Sequence, residues 1–205
     1  MTKGSTTMPA LPYENELKAE RHRLIDTLDG LTDDDFDNGT TLCSEWAPRD
    51  VLGHVVGLDH FLGSYLPYGI RVNDANQAQA DRARRVSRDR LMEWARHWAA
   101  HPSMTSRLAA GILLGDLGVH HQDVIRGLGL KRDVPDPVAT AIFREGLQLS
   151  MWLNRRTARY RLIPTDGHRP VALPTANQGE VRGTREALGL WLTGRDSVVP
   201  ELEFS

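Results

Sequence analysis

The stretch GDLGVHHQDVIRG, residues 115–127, places two aspartates and two histidines among leucine, valine and isoleucine residues in a helical pattern. Successive residues of a helix advance by about 100°, so Asp116, His120 and Asp123 share one face. Apolar residues occupy the same face, namely Ala109, Ile112, Leu113 and Val119. The pattern predicts a central helix with three polar groups on the side that faces the protein interior.

Polar groups in such a position need partners, because a carboxylate buried without one costs several kcal/mol. Asp116 and His120 are therefore expected to bind a metal ion, to belong to a buried polar network, to pair with an arginine, or to face a water-filled cleft. The residues by themselves leave these possibilities open.

His54 interrupts a second apolar stripe, formed by Val51, Val55, Leu58 and Leu62 on a helix that starts at Pro48. In an antiparallel bundle, one histidine from one helix and an acid-x3-His pair from another can converge on a single ion. The alternative for His54 is a core histidine satisfied by hydrogen bonds.

The acid-x3-His spacing alone is weak evidence, since about one match is expected by chance in a chain of this composition. Three matches occur, Asp50/His54, Glu93/His97 and Asp116/His120. Asp50 lies in a first helical turn, where the helix dipole favours a negative charge. Glu93, His97 and His101 lie away from the apolar side of their helix, which is typical of a solvated face. Only Asp116/His120 lies on an apolar face.

Composition bounds the class of protein. The chain has 205 residues, 40% hydrophobic residues and a net charge of −2, which fits a globular protein and gives no reason to expect nucleic-acid binding. The single cysteine, Cys43, excludes an internal disulfide framework and is typical of a reducing cytoplasm. No apolar run reaches the roughly 20 residues that span a bilayer, so no membrane partner is expected.

Helices are predicted over residues 13–31, from Pro48 toward residues 62–69, from Ser87 through Trp98, from Ser103 or Thr105 to Gly127, and from Asp136 to about Arg155. Residues 71–85 are predicted to be a long connection or a solvated helix, and the polar segment before Pro48 a loop. Short strands at 159–164 and 180–182 and a last helix at 184–193 follow. We expect a flexible N-terminus at 1–11, a helical bundle at 12–157 and a small α/β appendage at 158–205.

Two segments resemble the mycothiol-dependent maleylpyruvate isomerase family, a branch of the DinB-like metal-binding helical bundles. They are CSEWAPRDVLGHVVGLDHF, residues 43–61, and GDLGVHHQDVIRGLGLKRDVP, residues 115–135. The tail segments RLIPTDG and GEVRGTREALGLWLTGR resemble the end of the same family, so the likeness touches most of residues 12–195. The resemblance implies a mainly α fold: a DinB-like four-helix bundle core with an additional helix and a small C-terminal α/β appendage.

The resemblance places the family's metal ligands on His54, Asp116 and His120. The family's isomerase has glutamate where this chain has Asp116, which is one methylene shorter. Three protein ligands leave a fourth position open, as in catalytic zinc sites. Zinc is the expected ion, with nickel, cobalt or iron as alternatives. His121 lies about 100° from His120 on the helix and is not expected to share the ion.

Further residues are weaker candidates. Asp123 is expected to orient a ligand imidazole or to form an interhelical salt bridge. Arg126 is a candidate for binding an anionic substrate. Cys43 is expected to be a buried thiol, with a place in the pocket wall as the alternative. The arginine cluster at Arg82, Arg84, Arg85, Arg88 and Arg90 is expected to be a solvated helix face.

By resemblance, the open metal position would bind the thiol of mycothiol or a similar low-molecular-weight thiol. The expected protein is a metal-dependent thiol transferase or isomerase acting on a small electrophilic substrate, with a dicarboxylate as one candidate. A non-catalytic protein of the same fold that binds a metal or small ligand is the alternative, and a structural Asp116/His120 pair without metal is a third. A homodimer is compatible with the sequence, which gives no evidence on the substrate, the native ion or the oligomeric state.

Overall fold

A computed structural model describes residues 10–43, 45–59, 66–68 and 71–205. The helices are α1 (Glu14–Asp29), α2 (Asp33–Asn38), α3 (Pro48–Leu58), α4 (Val72–Arg84), α5 (Arg88–Ala100), α6 (Met104–Leu108), α7 (Ala110–Gly127), α8 (Asp136–Leu153), α9 (Arg156–Arg159) and α10 (Arg185–Leu192). The strands are β1 (Arg161–Pro164), β2 (Glu180–Gly183) and β3 (Glu203–Phe204), with 3-10 turns at Leu66–Tyr68 and Asp196–Glu201.

The mainly helical fold class is confirmed, with its small C-terminal α/β part. Helices α1, α3, α5 and α8 begin within one or two residues of their predicted starts. Their starts follow local signals: Ser87 caps α5 by accepting a hydrogen bond from the amide of Arg90, and a proline occupies the first turn of both α3 and α8.

The predicted fourth helix is divided into α6 and α7, so the prediction of one continuous helix is wrong. The division falls at Ala109, whose backbone leaves helical geometry at φ −98° and ψ 14°. Ser103 caps the short α6, and the central helix α7 begins only at Ala110.

Two segments without a firm helix prediction are helical. The segment predicted as a loop contains α2, which Thr32 caps by accepting from the amide of Asp35. The polar segment 71–85 forms α4, whose Ala75, Ala80 and Ala83 are buried against α3. Alanine and glycine at this contact allow the two helices to approach closely, and a Cβ at Gly53 would lie 2.6 Å from that of Ala83.

The C-terminal part is a three-stranded sheet packed beside α8 and α10. Strand β2 pairs in parallel with β1 and antiparallel with β3, which the sequence did not predict. Helix α10 packs closely on α8, because a Cβ at Gly146 would lie 2.7 Å from the carbonyl oxygen of Gly189.

One hydrophobic core joins the bundle to the C-terminal part. It contains Leu24, Leu114 and Ile142 of the bundle together with Leu162 and Leu188 of the tail. The division near residue 157 therefore stays a prediction. The predicted flexible N-terminus lies mainly outside the described residues, as does the extension of the second helix to Leu62.

Within the described ranges, none of the helices combines the length and apolar character needed to cross a membrane.

Candidate metal centre

Helices α3 and α7 bring His54, Asp116 and His120 together. One donor atom from each of the three side chains lies within 4.8 Å of the other two. The imidazole Nε2 of His54 is 3.8 Å from Asp116 Oδ2, and the imidazole Nε2 of His120 is 3.8 Å from Asp116 Oδ1. The predicted set therefore converges in space, although its role as a ligand set stays a prediction.

The start of α3 is fixed one turn before His54. Asp50 accepts a hydrogen bond of 3.0 Å from the amide of Ala47 and forms a two-pronged ion pair of 2.8 Å with Arg84. The helix dipole was predicted to be a sufficient explanation for Asp50, but this buried carboxylate also needs these partners. Arg84 thus ties α4 to the helix that carries His54.

The spacing of the three groups suits a shared metal ion better than it suits direct hydrogen bonds between them. Separations of 3.8 Å are too long for hydrogen bonds. Ligands of a tetrahedral zinc, with bonds of about 2.0–2.1 Å, lie roughly 3.3 Å apart. Asp116 Oδ2 and His54 Nδ1 are buried without a hydrogen-bond partner among the described residues. Two imidazoles and a carboxylate with an unsatisfied oxygen form a donor set suited to zinc.

Asp123 lies behind His120 and holds its ring. Its Oδ2 is 3.0 Å from His120 Nδ1, which places a proton on Nδ1 and leaves Nε2 free to point toward Asp116. Asp123 also forms a two-pronged ion pair with Arg195, at 3.0 Å from Nε and 2.7 Å from Nη2. The salt bridge of Asp123 is therefore formed with Arg195, which lies between α10 and the following 3-10 turn rather than in a helix, and the orientation of a ligand imidazole by Asp123 stays a prediction.

Arg195 was not predicted, and the sequence gives little signal for it. It lies in the tail, 72 residues after Asp123, in no periodic pattern with the histidines. Its buried position beside Asp123 raises its pKa, although burial alone would lower that pKa. The C-terminal part thus contributes a charged group to the surroundings of the metal centre.

Cys43 also lies beside the centre rather than in an unrelated part of the core. Its thiol donates to Asp123 Oδ2 at 3.0 Å and lies 3.7 Å from His120 Nδ1. Cys43, His120 and Asp123 form a second group with donor atoms within 4.8 Å. Arg195 Nη2 lies 3.3 Å from the sulfur, and its positive charge opposes a cation there.

The two histidines have opposite protonation tendencies. Burial would lower the pKa of His120, but the charges of Asp116 and Asp123 raise it to about 10. Burial lowers the pKa of His54, and the contacts with Asp116 and Gln79 only partly oppose this. The pKa of Asp116 is lowered because the two imidazoles outweigh its burial. Without a metal, His120 is therefore the cation of the group and His54 is neutral at pH 7.

Glu145 of α8 is a second carboxyl near the centre that the sequence analysis missed. Burial and the nearby charge of Asp116 raise its pKa to about 7. The side chain crosses α7 at Gly115, where a Cβ would lie 2.9 Å from Glu145 Cβ. The available signal was its place on the buried side of α8 near Ile142, the same kind of signal that identified Asp116.

Two other predicted positions have partners outside the centre. Fully buried His121 contacts Glu20 at 2.7 Å and Thr27 at 2.9 Å, in agreement with its exclusion from the ligand set. Arg126 forms ion pairs with Glu186 at 2.9 Å and Glu201 at 2.5 Å. The substrate-binding role of Arg126 stays a prediction.

A small cavity and an aromatic ring lie beside the three groups. A cavity of about 10 Å³ touches Asp116 and is lined otherwise by residues that include Leu113, Leu117 and Val55. This volume is about that of one water-sized probe. The ring of Trp46 covers the imidazoles, with centroid distances of 5.2 Å to His54 and 6.0 Å to His120.

Comparisons with known proteins agree on a family. A family profile described as "Mycothiol maleylpyruvate isomerase N-terminal domain" matches residues 17–125, which is more than half of the chain. No curated protein matches the sequence.

Solved structures agree on the fold. The crystal structure of a mycothiol-dependent maleylpyruvate isomerase is similar with a TM-score of 0.68 and 15% identity, over 97% of this chain and 96% of that one. A histidine-to-alanine mutant of that enzyme gives a TM-score of 0.66 and 14% identity, with the same coverage. At these identities the structures establish a shared fold, and the profile match establishes that this chain belongs to the mycothiol maleylpyruvate isomerase family.

Proposed function

We propose that this protein is a metal-dependent thiol transferase or isomerase, with His54, Asp116 and His120 as metal ligands. The convergence of these three donor groups, with Asp116 Oδ2 left unsatisfied among the described residues, is the observation that supports it. Zinc suits two imidazoles and one carboxylate, and three protein ligands leave one position for a further ligand. The shorter Asp116 requires α7 to lie close to the ion, and Gly115 and Gly118 allow tight packing of α7 on α8.

The proposed thiol chemistry depends on the positive charge of the bound metal ion. A bound cation stabilises the thiolate of a low-molecular-weight thiol such as mycothiol, and the thiolate is the nucleophile. Asp123 and Arg195 hold His120 so that its Nε2 faces the ligand group. Asp116 contributes the negative charge that offsets the ion. Trp46 limits the access of water to the imidazoles.

The substrate class is proposed from the family. The similar crystal structures carry the name of a mycothiol-dependent maleylpyruvate isomerase. For such a reaction, addition of a thiol to a cis double bond would allow rotation about the resulting single bond, and elimination of the thiol would restore the double bond. We propose a small electrophile for this chain, with an unsaturated dicarboxylate as the first candidate. We also propose a cytoplasmic location, because the thiol must stay reduced. The proposed oligomeric state is a homodimer.

Metal content and turnover test this proposal. Protein purified without an affinity tag is expected to contain about one zinc per chain and to convert maleylpyruvate in the presence of mycothiol. A chelator should abolish the reaction, and added zinc should restore it. Lack of a chelator-sensitive reaction with maleylpyruvate and with a panel of other electrophiles would contradict an enzymatic role.

The variant His54→Ala tests the ligand set. It is expected to lose the metal and the activity but to keep its helical circular dichroism, because Val51, Leu52 and Val55 still bury the apolar face of α3. His22→Ala, which changes an exposed histidine, is the matched control. A His54→Ala protein that retains one zinc per chain would refute the assignment.

A second candidate is a protein that binds metal without turnover. The ring of Trp46 over both imidazoles favours it, since this ring restricts the access of a substrate to the ion. Stoichiometric zinc together with no reaction across the panel would support this alternative.

A further inference from the structure

A large cleft lies between α3, α4 and α5, and Gly53, Gln79 and Trp98 of these helices line it. Its volume is about 1050 Å³, which is enough for a ligand of ordinary small-molecule size. None of His54, Asp116 and His120 lines it. The cleft therefore needs an explanation of its own.

Some of the charged side chains that line the cleft form ion pairs and others do not. Arg82 and Arg85 line it, and neither forms an ion pair with any residue in the described ranges. The neighbouring arginines of the same sequence cluster do have partners: Arg84 pairs with Asp50, Arg88 with Asp33 and Arg90 with Glu93. The cluster was predicted to be a solvated face, and Arg82 and Arg85 are indeed exposed while they also border the cleft.

The acidic side chains that line the cleft already have hydrogen-bond or ion-pair partners. Asp59 pairs with Arg21 at 2.7 Å and accepts from the amide of Ser103 at 3.2 Å. Asp81 accepts from Gln77 at 2.9 Å and lies 3.8 Å from Arg84. The charges that remain for a ligand are therefore positive.

The rest of the wall is apolar or aromatic, with polar groups that lack partners. Trp94 and Trp98 line one side, and His97 and His101 stack on each other there at 4.4 Å. Among the described residues, the indole nitrogen of Trp98 and both amide atoms of Gln79, a residue that lies beside His54, are buried without a hydrogen-bond partner. Such orphaned groups are uncommon in protein interiors, and they are expected where a wall meets a polar ligand or ordered water.

We propose that this cleft binds a small organic anion, in which a carboxylate or phosphate group is attached to an apolar ring or chain. Arg82 and Arg85 neutralise the anionic group, because one guanidinium group can donate two parallel hydrogen bonds to two oxygens of a carboxylate or phosphate. Trp94 and Trp98 contact the apolar body. The proposal does not depend on the function of the metal centre.

Calorimetric titration with three probes that share one ring system tests the proposal. 1-Naphthoate and 1-naphthyl phosphate carry the anionic groups, and 1-naphthalenemethanol is the neutral analogue. At least one of the two anions should bind ten times more tightly than the alcohol, and the tighter of the two identifies the preferred group. Equal or weaker binding of both anions would overturn the proposal.

Paired variants locate the binding. The double variant Arg82→Gln/Arg85→Gln should weaken binding of the anion at least tenfold and leave that of the alcohol unchanged. The control Arg96→Gln/Arg159→Gln removes the same charge from exposed positions outside the cleft and should bind as the unmodified protein does. Unchanged anion binding by the first variant would overturn the proposal.

Removal of the metal separates this cleft from the metal centre. Anion binding should be the same for zinc-loaded protein, chelator-treated protein and His54→Ala. Loss of binding on chelation would place the probe at the metal centre instead and would refute the cleft as its site.

Discussion

At the scale of single residues, the proposed metal centre depends on how Asp123 holds His120. The carboxylate is fully buried and satisfies His120, Arg195 and Cys43 at once. A carboxylate behind a ligand imidazole fixes its ring orientation and increases its basicity. The position of the His120 donor atom in the proposed ligand set therefore depends on the Asp123 carboxylate.

We expect Asp123→Asn to lower the affinity for zinc about 10- to 100-fold, because the amide keeps the shape but loses the charge. Removal of one partner of its buried ion pair with Arg195 should also cost about 3 kcal/mol of unfolding free energy. Competition with a chromophoric chelator measures the affinity, and urea unfolding measures the stability. Asp133→Asn, at an exposed aspartate, is the control. Unchanged zinc affinity of Asp123→Asn would show that the contact with His120 does not orient a ligand.

Zinc binding is expected to depend on pH through His120. The folded protein without metal holds a proton on His120 up to a pKa of about 10, and zinc must displace it. One proton should therefore be released per zinc between pH 7.0 and 8.5, with apparent affinity rising about tenfold per pH unit. Calorimetry in buffers of different ionisation enthalpy measures this release. Zinc affinity that is flat over this range would contradict it.

The same shift predicts a change in the stability of the metal-free protein. A histidine pKa that folding raises contributes stability that is fully present below its unfolded value of about 6.5. That contribution should be lost as the pH rises through about 10. The metal-free protein is therefore expected to become less stable at alkaline pH, where the zinc complex is favoured.

At the scale of elements, close helix contacts position the centre, and small residues permit them. The contact between α8 and α10 depends on Gly146 and Gly189, where a Cβ at Gly189 would lie 2.6 Å from the carbonyl oxygen of Ile142. That oxygen belongs to backbone, so the helices themselves would have to separate.

Gly189→Ala is expected to destabilise the protein by about 1–3 kcal/mol through overpacking. Gly30→Ala is the matched control, because Gly30 has helical dihedrals and a Cβ there would meet only ordinary contacts of 3.5 and 3.6 Å. Urea unfolding of both variants provides the comparison. Equal stability of the two variants would mean that α8 and α10 can separate at little cost.

At the scale of the whole molecule, the C-terminal part and the bundle share one core and one charged contact. Leu188, Leu190 and Leu192 of α10 are fully buried, and Arg195 reaches Asp123. Each buried leucine contributes about 1.5–3 kcal/mol, which is large beside a total stability of about 5–15 kcal/mol.

We expect a chain that ends at residue 157 to lack a cooperative thermal transition, because it exposes the face of α8 that α10 covers. Circular dichroism of the shortened and full-length chains measures this, and the full-length chain should unfold in one transition. Independent, cooperative unfolding of the shortened chain would support the predicted boundary near residue 157 as a division between two domains.

The resemblance to the family implied that His54, Asp116 and His120 lie together, and the structure brings their donor atoms within 4.8 Å of one another. The sequence by itself determined the helical fold class and most helix starts. These follow from local causes: apolar periodicity, caps and prolines in first turns. Only the tertiary structure decided that Cys43, Glu145 and Arg195 surround the centre and that Arg82 and Arg85 border a cleft. The physical reason is that these groups are 70 or more residues apart in the chain, or lie on different helices. The periodic pattern of one helix does not indicate which side chains of other segments it will contact.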